Sequence, residues 1–173
     1  MTEELFIQKD VNADRIIRTY SGIWFNVFKP DYKLINIEDI AHSLAMQCRF
    51  NGHTQDFYSV AQHSVWVMER VPLQHKKAAL LHDASEAYLA DIPSPIKKYF
   101  TQYHAIEDDV MNAVAKRFIF QYPFDECIKK FDKEALNWEW ENKVINNYDV
   151  QNNWDFKKAK KEFLEAFKSI ENI

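Results

Sequence analysis

The stretch Ser59-Val60-Ala61-Gln62-His63-Ser64-Val65-Trp66-Val67-Met68-Glu69-Arg70-Val71-Pro72-Leu73-Gln74-His75-Lys76-Lys77-Ala78-Ala79-Leu80-Leu81-His82-Asp83-Ala84-Ser85-Glu86-Ala87 decides how this chain folds. Two helical runs flank a proline that neither can contain. Val60, Ser64, Val67/Met68 and Val71 form one face of the first run, which the pattern predicts from an N-cap at Asp56 to about Val71. The second run is predicted from about Gln74 to Leu89. Together they read as an antiparallel helical hairpin turning at Pro72.

Inside the second run, His82 and Asp83 interrupt apolar helix formers. Burying such groups is costly unless something pairs with or coordinates them. The midpoint between His63 and His82 falls between Pro72 and Leu73, at the turn. Each histidine is about nine residues from that pivot, so each stands about 13–14 Å along its helix from the turn. Paired helix axes lie ~8–10 Å apart, close enough for two inward imidazoles to meet on one ion. Asp83 reaches the same point from the helix shoulder. Three ligands do not close a shell. Asp132, in Phe131-Asp132-Lys133-Glu134-Ala135, is the best-placed fourth and completes a His₂Asp₂ set with open positions. Such a set suits one divalent transition metal: Mn, Fe, Co, Ni or Zn. His42, His53, His75 and His104 have no such partners in the pattern and read as surface or hydrogen-bonded residues.

Outward from the hairpin the chain reads as all-α. Ile37 to Cys48 is a predicted helix capped by Asn36, with Glu38 and Asp39 in its first turn. Arg49 to Gln55 breaks the pattern as a loop. Ile92-Pro93-Ser94-Pro95 is predicted as a turn, and further helices over about 101–119, 125–147 and 154–171. The last puts Phe156, Ala159, Phe163, Phe167 and Ile170 on one stripe, with lysines opposite. The aromatic-rich segment Tyr20 to Phe28 reads as a short strand, turn or plug.

The 173 residues, 15% aromatic and nearly half apolar, are read as one globular domain over 1–173. A net charge of −4 argues against binding a nucleic-acid polymer but not against a small anionic substrate beside a metal. Two glycines exclude Gly-rich phosphate loops. Cys48 and Cys127 form neither a CxxC nor a zinc-ribbon spacing, which fits a reducing, cytoplasmic setting. The start, Met1-Thr2-Glu3-Glu4-Leu5-Phe6, does not read as a signal peptide, and no run is long enough to span a bilayer, so no membrane partner is expected.

With these residues in place, the chain resembles the HD-domain metal-dependent phosphohydrolases over about Ile37 to Glu141. The likeness is most specific in Ser59-Val60-Ala61-Gln62-His63-Ser64 and Leu81-His82-Asp83-Ala84-Ser85-Glu86-Ala87. The continuation Ala90-Asp91-Ile92-Pro93-Ser94-Pro95 looks like the branch holding deoxyribonucleoside 5′-monophosphatases and phage-borne hydrolases. The resemblance implies an HD-domain helical bundle with His63, His82, Asp83 and Asp132 on the metal. It implies Arg49 as a phosphate contact, Phe50 near the sugar or base, and Glu86 and Asp91 as catalytic residues. Glu86, one helical turn beyond His82 in the predicted helix, would lie on the same face. The implied reaction is hydrolysis of a phosphate ester on a small nucleotide, foremost a 2′-deoxynucleoside 5′-monophosphate. The alternatives are triphosphate or pyrophosphate release from a deoxynucleoside triphosphate, or a non-catalytic nucleotide-binding regulatory module. Relatives of this kind often pair as homodimers, for which the aromatic-rich ends could serve; their other use is an intramolecular core. Two positions depart from the pattern. Gln62 stands where Glu is common, and Trp138 and Trp140 flank the acidic Glu139 after Asp132.

Overall fold

The computed structural model describes residues 15–146 and 152–171. The expectations for Met1 to Phe6, and the end of the helix predicted to 147, lie outside them. Eight α-helices stand among the described residues: α1 Ile37–Met46, α2 Val60–Arg70, α3 Lys76–Leu80, α4 Glu86–Leu89, α5 Ser94–Lys97, α6 Thr101–Phe118, α7 Glu126–Glu139 and α8 Phe156–Ile170. One small antiparallel hairpin, β1 Ile16–Arg18 with β2 Trp24–Asn26, precedes them and pairs Ile17 with Phe25. The fold is all-α. No described helix is long and apolar enough to cross a membrane.

Helix α2 is the hub. It packs against α1, α3, α7 and α8, and α8 also lies on α1 and α3. Its apolar residues Val60, Ala61, Val65, Val67 and Met68 are buried with Ile40 and Leu44 of α1, Leu80 of α3 and Phe163 of α8. Ala159, Phe163, Phe167 and Ile170 are the buried stripe expected of α8, while Phe156 at its start is exposed. The aromatic segment of the β-hairpin contributes Phe25, fully buried against Tyr88.

Caps set the helix starts. Asn36 Oδ1 accepts the Asp39 N–H at 2.8 Å, as expected for α1. Asp39 then accepts from the Ser21 amide and hydroxyl, which ties the β-hairpin to this helix end. The cap of α2 is Ser59, whose Oγ accepts the Gln62 N–H at 3.1 Å, rather than Asp56. An isolated antiparallel bridge joins Ser59 to Cys48, the Arg49 N–H donates to the Tyr58 carbonyl at 2.9 Å, and Tyr58 is buried in the core.

Two other expectations change. The predicted helix from Gln74 to Leu89 is three pieces: a 3₁₀ turn at Leu73–His75, α3, and α4 after a run of turns over 81–85. The His82 Nδ1–H donates to the Ala79 carbonyl at 2.7 Å, an acceptor that a regular helix reserves for the Asp83 amide. His82 and Asp83 therefore lie in a break between helices. Glu86 opens α4 instead of continuing one helix from His82. At 92–95, a one-turn helix starts inside the predicted turn, because Pro95 sits in its first turn, where an N–H is not needed. Beyond α7, the chain widens into a π turn over Trp140–Ile145.

Candidate metal centre

The antiparallel arrangement of α2 and α3 brings the two histidines face to face. His63 Nε2 and His82 Nε2 are 3.2 Å apart. Asp132, from α7, places Oδ1 3.1 Å from His63 Nε2 and 3.6 Å from His82 Nε2. Asp83 joins from the helix break, with Oδ2 3.3 Å from His82 Nε2 and 3.7 Å from His63 Nε2. Ligand atoms of His63, His82 and Asp132 all lie within 4.8 Å of one another. Four residues from three separate parts of the chain thus converge on one point.

Each ring is turned by its other nitrogen. A carbonyl can only accept, so His82 carries its proton on Nδ1 toward Ala79. His63 Nδ1 donates to Glu139 Oε1 at 2.7 Å. Both Nε2 atoms then face the shared centre, where each offers a lone pair once it has lost its proton. Glu139 is itself buried and fixed by Tyr58, whose hydroxyl donates at 2.8 Å, and by Arg49 Nη2 at 2.9 Å. This carboxylate–imidazole pair is the usual support of a ligating histidine. The acidic residue at 139 was visible in the sequence, but its bond to His63 spans 76 residues and had no spacing signal.

Charge balance follows the geometry. Burial works against a charged His82, but Asp83 and Asp132 outweigh it and raise its pKa to about 9. Burial and Arg49 lower that of His63, while Glu139 and Asp132 bring the net shift upward. Burial opposes ionisation of Asp132, yet its bonds to both histidines drive its pKa far below the carboxylate range. Glu139 is held down to about 2 against its burial by His63 and Arg49. Protons on the imidazoles offset these carboxylates in the metal-free protein. A cation held here would displace them.

The residues fit a divalent cation. Two imidazole nitrogens and two carboxylates form a borderline-hard set, and Asp83 Oδ2 is buried without a hydrogen bond. The residues implied as catalytic stand beside it. Glu86 is buried, with Oε2 unpartnered, and burial followed by Asp83 and Asp91 raises its pKa well above normal. Asp91 is half-buried and raised by its own burial and by Asp83, with Arg49 opposing. Between them Ala90 adopts φ +85°, a backbone region that favours glycine and strains any other residue.

Arg49 is drawn inward toward the centre. Its side chain is 11% exposed, Nη2 is bound to Glu139, and Nε is buried without a partner. Phe50 follows with φ +54° and Asn51 with φ +52°, so the loop is left-handed at two non-glycine residues. The Phe50 ring lies 5.4 Å from the Arg49 guanidinium carbon and 6.0 Å from the Trp140 ring. Gln62 points away from orienting the ligands. Its amide accepts from Trp154 N–H at 2.9 Å and donates to the Asn152 carbonyl at 2.7 Å, holding the segment before α8.

No family model matches the chain. It is similar to the uncharacterized protein YfdR of Escherichia coli K12, 42% identical over 102 residues, 59% of this chain and 57% of that one. It is also 36% identical over 138 residues to the uncharacterized protein RCAP_rcc00048 of Rhodobacter capsulatus, covering 72% of this chain and 70% of its relative. The chain belongs to the same family as the Rhodobacter protein. It spans little more than half the length of YfdR and about two-thirds of the Rhodobacter protein.

Proposed function

We propose that the centre is that of an HD-type metal-dependent phosphohydrolase acting on a small nucleotide, foremost a 2′-deoxynucleoside 5′-monophosphate. The convergence of His63, His82, Asp83 and Asp132 beside a buried, unpartnered Glu86 carries this reading. A divalent transition metal on those four residues would supply Lewis acidity toward the phosphoryl group. Arg49, anchored on Glu139, holds a phosphate oxygen and offsets charge in the transition state. Phe50 offers a ring beside it for the sugar or base.

Glu86 takes a proton from the attacking water as its oxygen forms a bond to phosphorus. The phosphorus–O5′ bond breaks, and Asp91 gives its proton to the departing O5′. Raised pKa values suit both roles, since each group then exchanges protons nearer neutrality than a free carboxylate does. The products are a deoxynucleoside and inorganic phosphate.

The test is a panel of deoxynucleoside mono- and triphosphates with the protein loaded separately with Mn, Co, Zn, Fe, Ni and Mg, reading phosphate and triphosphate release. Phosphate from monophosphates supports the reading. Triphosphate release moves it to the triphosphohydrolase alternative, and binding without product leaves a regulatory module. Glu86→Ala should keep the metal and lose at least ~100-fold in turnover. A near-native rate in that variant overturns the assignment of the base.

A further inference from the structure

The hairpin of α2 and α3 meets α7 a second time, at its tip. His75 closes the 3₁₀ turn after Pro72, Asp125 caps α7, and Cys127 stands in that helix's first turn. Their ligand atoms all lie within 4.8 Å of one another. In a tetrahedral zinc site with nitrogen, oxygen and sulfur ligands, the ligands stand roughly 3.3–3.8 Å apart. The three side chains therefore need to close by only about an ångström to share one ion. We propose that His75, Asp125 and Cys127 form a second divalent-metal site, of zinc type, that staples α7 to the tip of the hairpin.

The chemistry of the donors favours this. One imidazole, one thiol and one carboxylate make a mixed soft and borderline set, unlike the all-nitrogen-and-oxygen set of the first centre. Thiolate and carboxylate together neutralise a divalent charge. Cys127 is a free thiol. Asp125 spends Oδ1 on the Cys127 N–H at 2.8 Å, which draws the two residues together and leaves the other oxygen for an ion. A cleft of about 270 Å³ opens beside them, lined by His75, Asp125, Ile119, Phe120 and Ile128, and leaves room for water in a fourth position.

Position gives the site its consequence. Asp132 follows Cys127 by five residues on the same helix, about 7–8 Å along the axis. His63 and His82 stand on the two arms whose turn carries His75. A cation at the tip would pin α7 against the hairpin at one height and so hold Asp132 at the other. This inference stands whether or not the first centre hydrolyses phosphate esters.

Cobalt reports the site directly, because only a thiolate gives a sulfur-to-cobalt charge-transfer band in the near ultraviolet, and the first centre has no thiol. The full chain, stripped of metal and titrated with Co²⁺, should develop that band. Cys48→Ser should keep it, Cys127→Ser should lose it, and His75→Ala should need at least tenfold more cobalt to reach it. Circular dichroism of each variant checks that it is folded; all three positions are at least partly exposed, so none empties the core. No band in the wild-type chain, a band that survives Cys127→Ser, or an unchanged titration in folded His75→Ala each overturns the proposal.

Discussion

His63 and His82 face each other across 3.2 Å, yet they are held in different ways. His63 stands in an unbroken helix, fully buried, and its far nitrogen is fixed by Glu139, a side chain from another helix that Tyr58 and Arg49 hold in turn. His82 stands in a break, and its far nitrogen is fixed by the Ala79 carbonyl three residues back. One half of the centre depends on a network reaching across the fold. The other depends on its own backbone. The first should be costly to disturb for the whole protein, the second only for the centre.

The largest effect expected is local. His82→Ala should abolish stoichiometric metal binding in isothermal titration at the first centre while leaving the thermal midpoint within a few degrees, since the far nitrogen of the ring bonds only its own turn and the near one meets only the other members of the centre. Next comes Glu139→Ala, which leaves Arg49 buried without its partner and should cost roughly 3–5 kcal/mol in chemical denaturation. If both variants lose equal stability, the contrast between the two halves fails.

Acid should expose the same contrast in the metal-free protein. Glu139 has a folded pKa of about 2 against an ordinary 4.5, so its stabilisation is complete above about 4.5 and disappears as pH falls toward about 2. Denaturation curves of Glu139→Gln should lack that part of the acid slope.

Gln62→Ala sharpens the comparison from outside. It removes two bonds to the segment before α8 and should cost about 1–2 kcal/mol, with metal affinity at the first centre unchanged. A tenfold loss of affinity would show that Gln62 also helps to orient the ligands.

The hairpin was legible because symmetry about Pro72 is a long-range statement that spacing alone can make. Helix starts were partly legible: Asn36 stood directly before a clear periodic run, whereas the pattern puts the start of α2 three residues early, at Asp56 instead of Ser59, because the bridge of Ser59 to Cys48 and the burial of Tyr58 are long-range events that a cap residue does not announce. The break at His82 was hidden because Leu80, Leu81 and Ala84 keep helical spacing across it. The bond that causes it runs from a side chain to the backbone, which periodicity does not see. Glu139 was visible as an acid but not as the partner of His63, and Gln62, noted only as a departure from the common Glu, gave no sign that its amide serves another segment. His75, Asp125 and Cys127 left no trace of their grouping. Each is ordinary in its local pattern, and only the packing of α7 on the hairpin tip brings them together.

The two Nδ1 bonds have a consequence for kinetics. Because the Glu139 carboxylate and the Ala79 carbonyl turn both rings before any ion arrives, capture requires no ordering of a loose imidazole. The slow event in loading would be departure of the protons that the facing Nε2 atoms and Asp132 hold between them. The loading rate should then follow pH and buffer concentration more closely than solvent viscosity, which would mark the centre as a lock set in advance and opened by proton exchange.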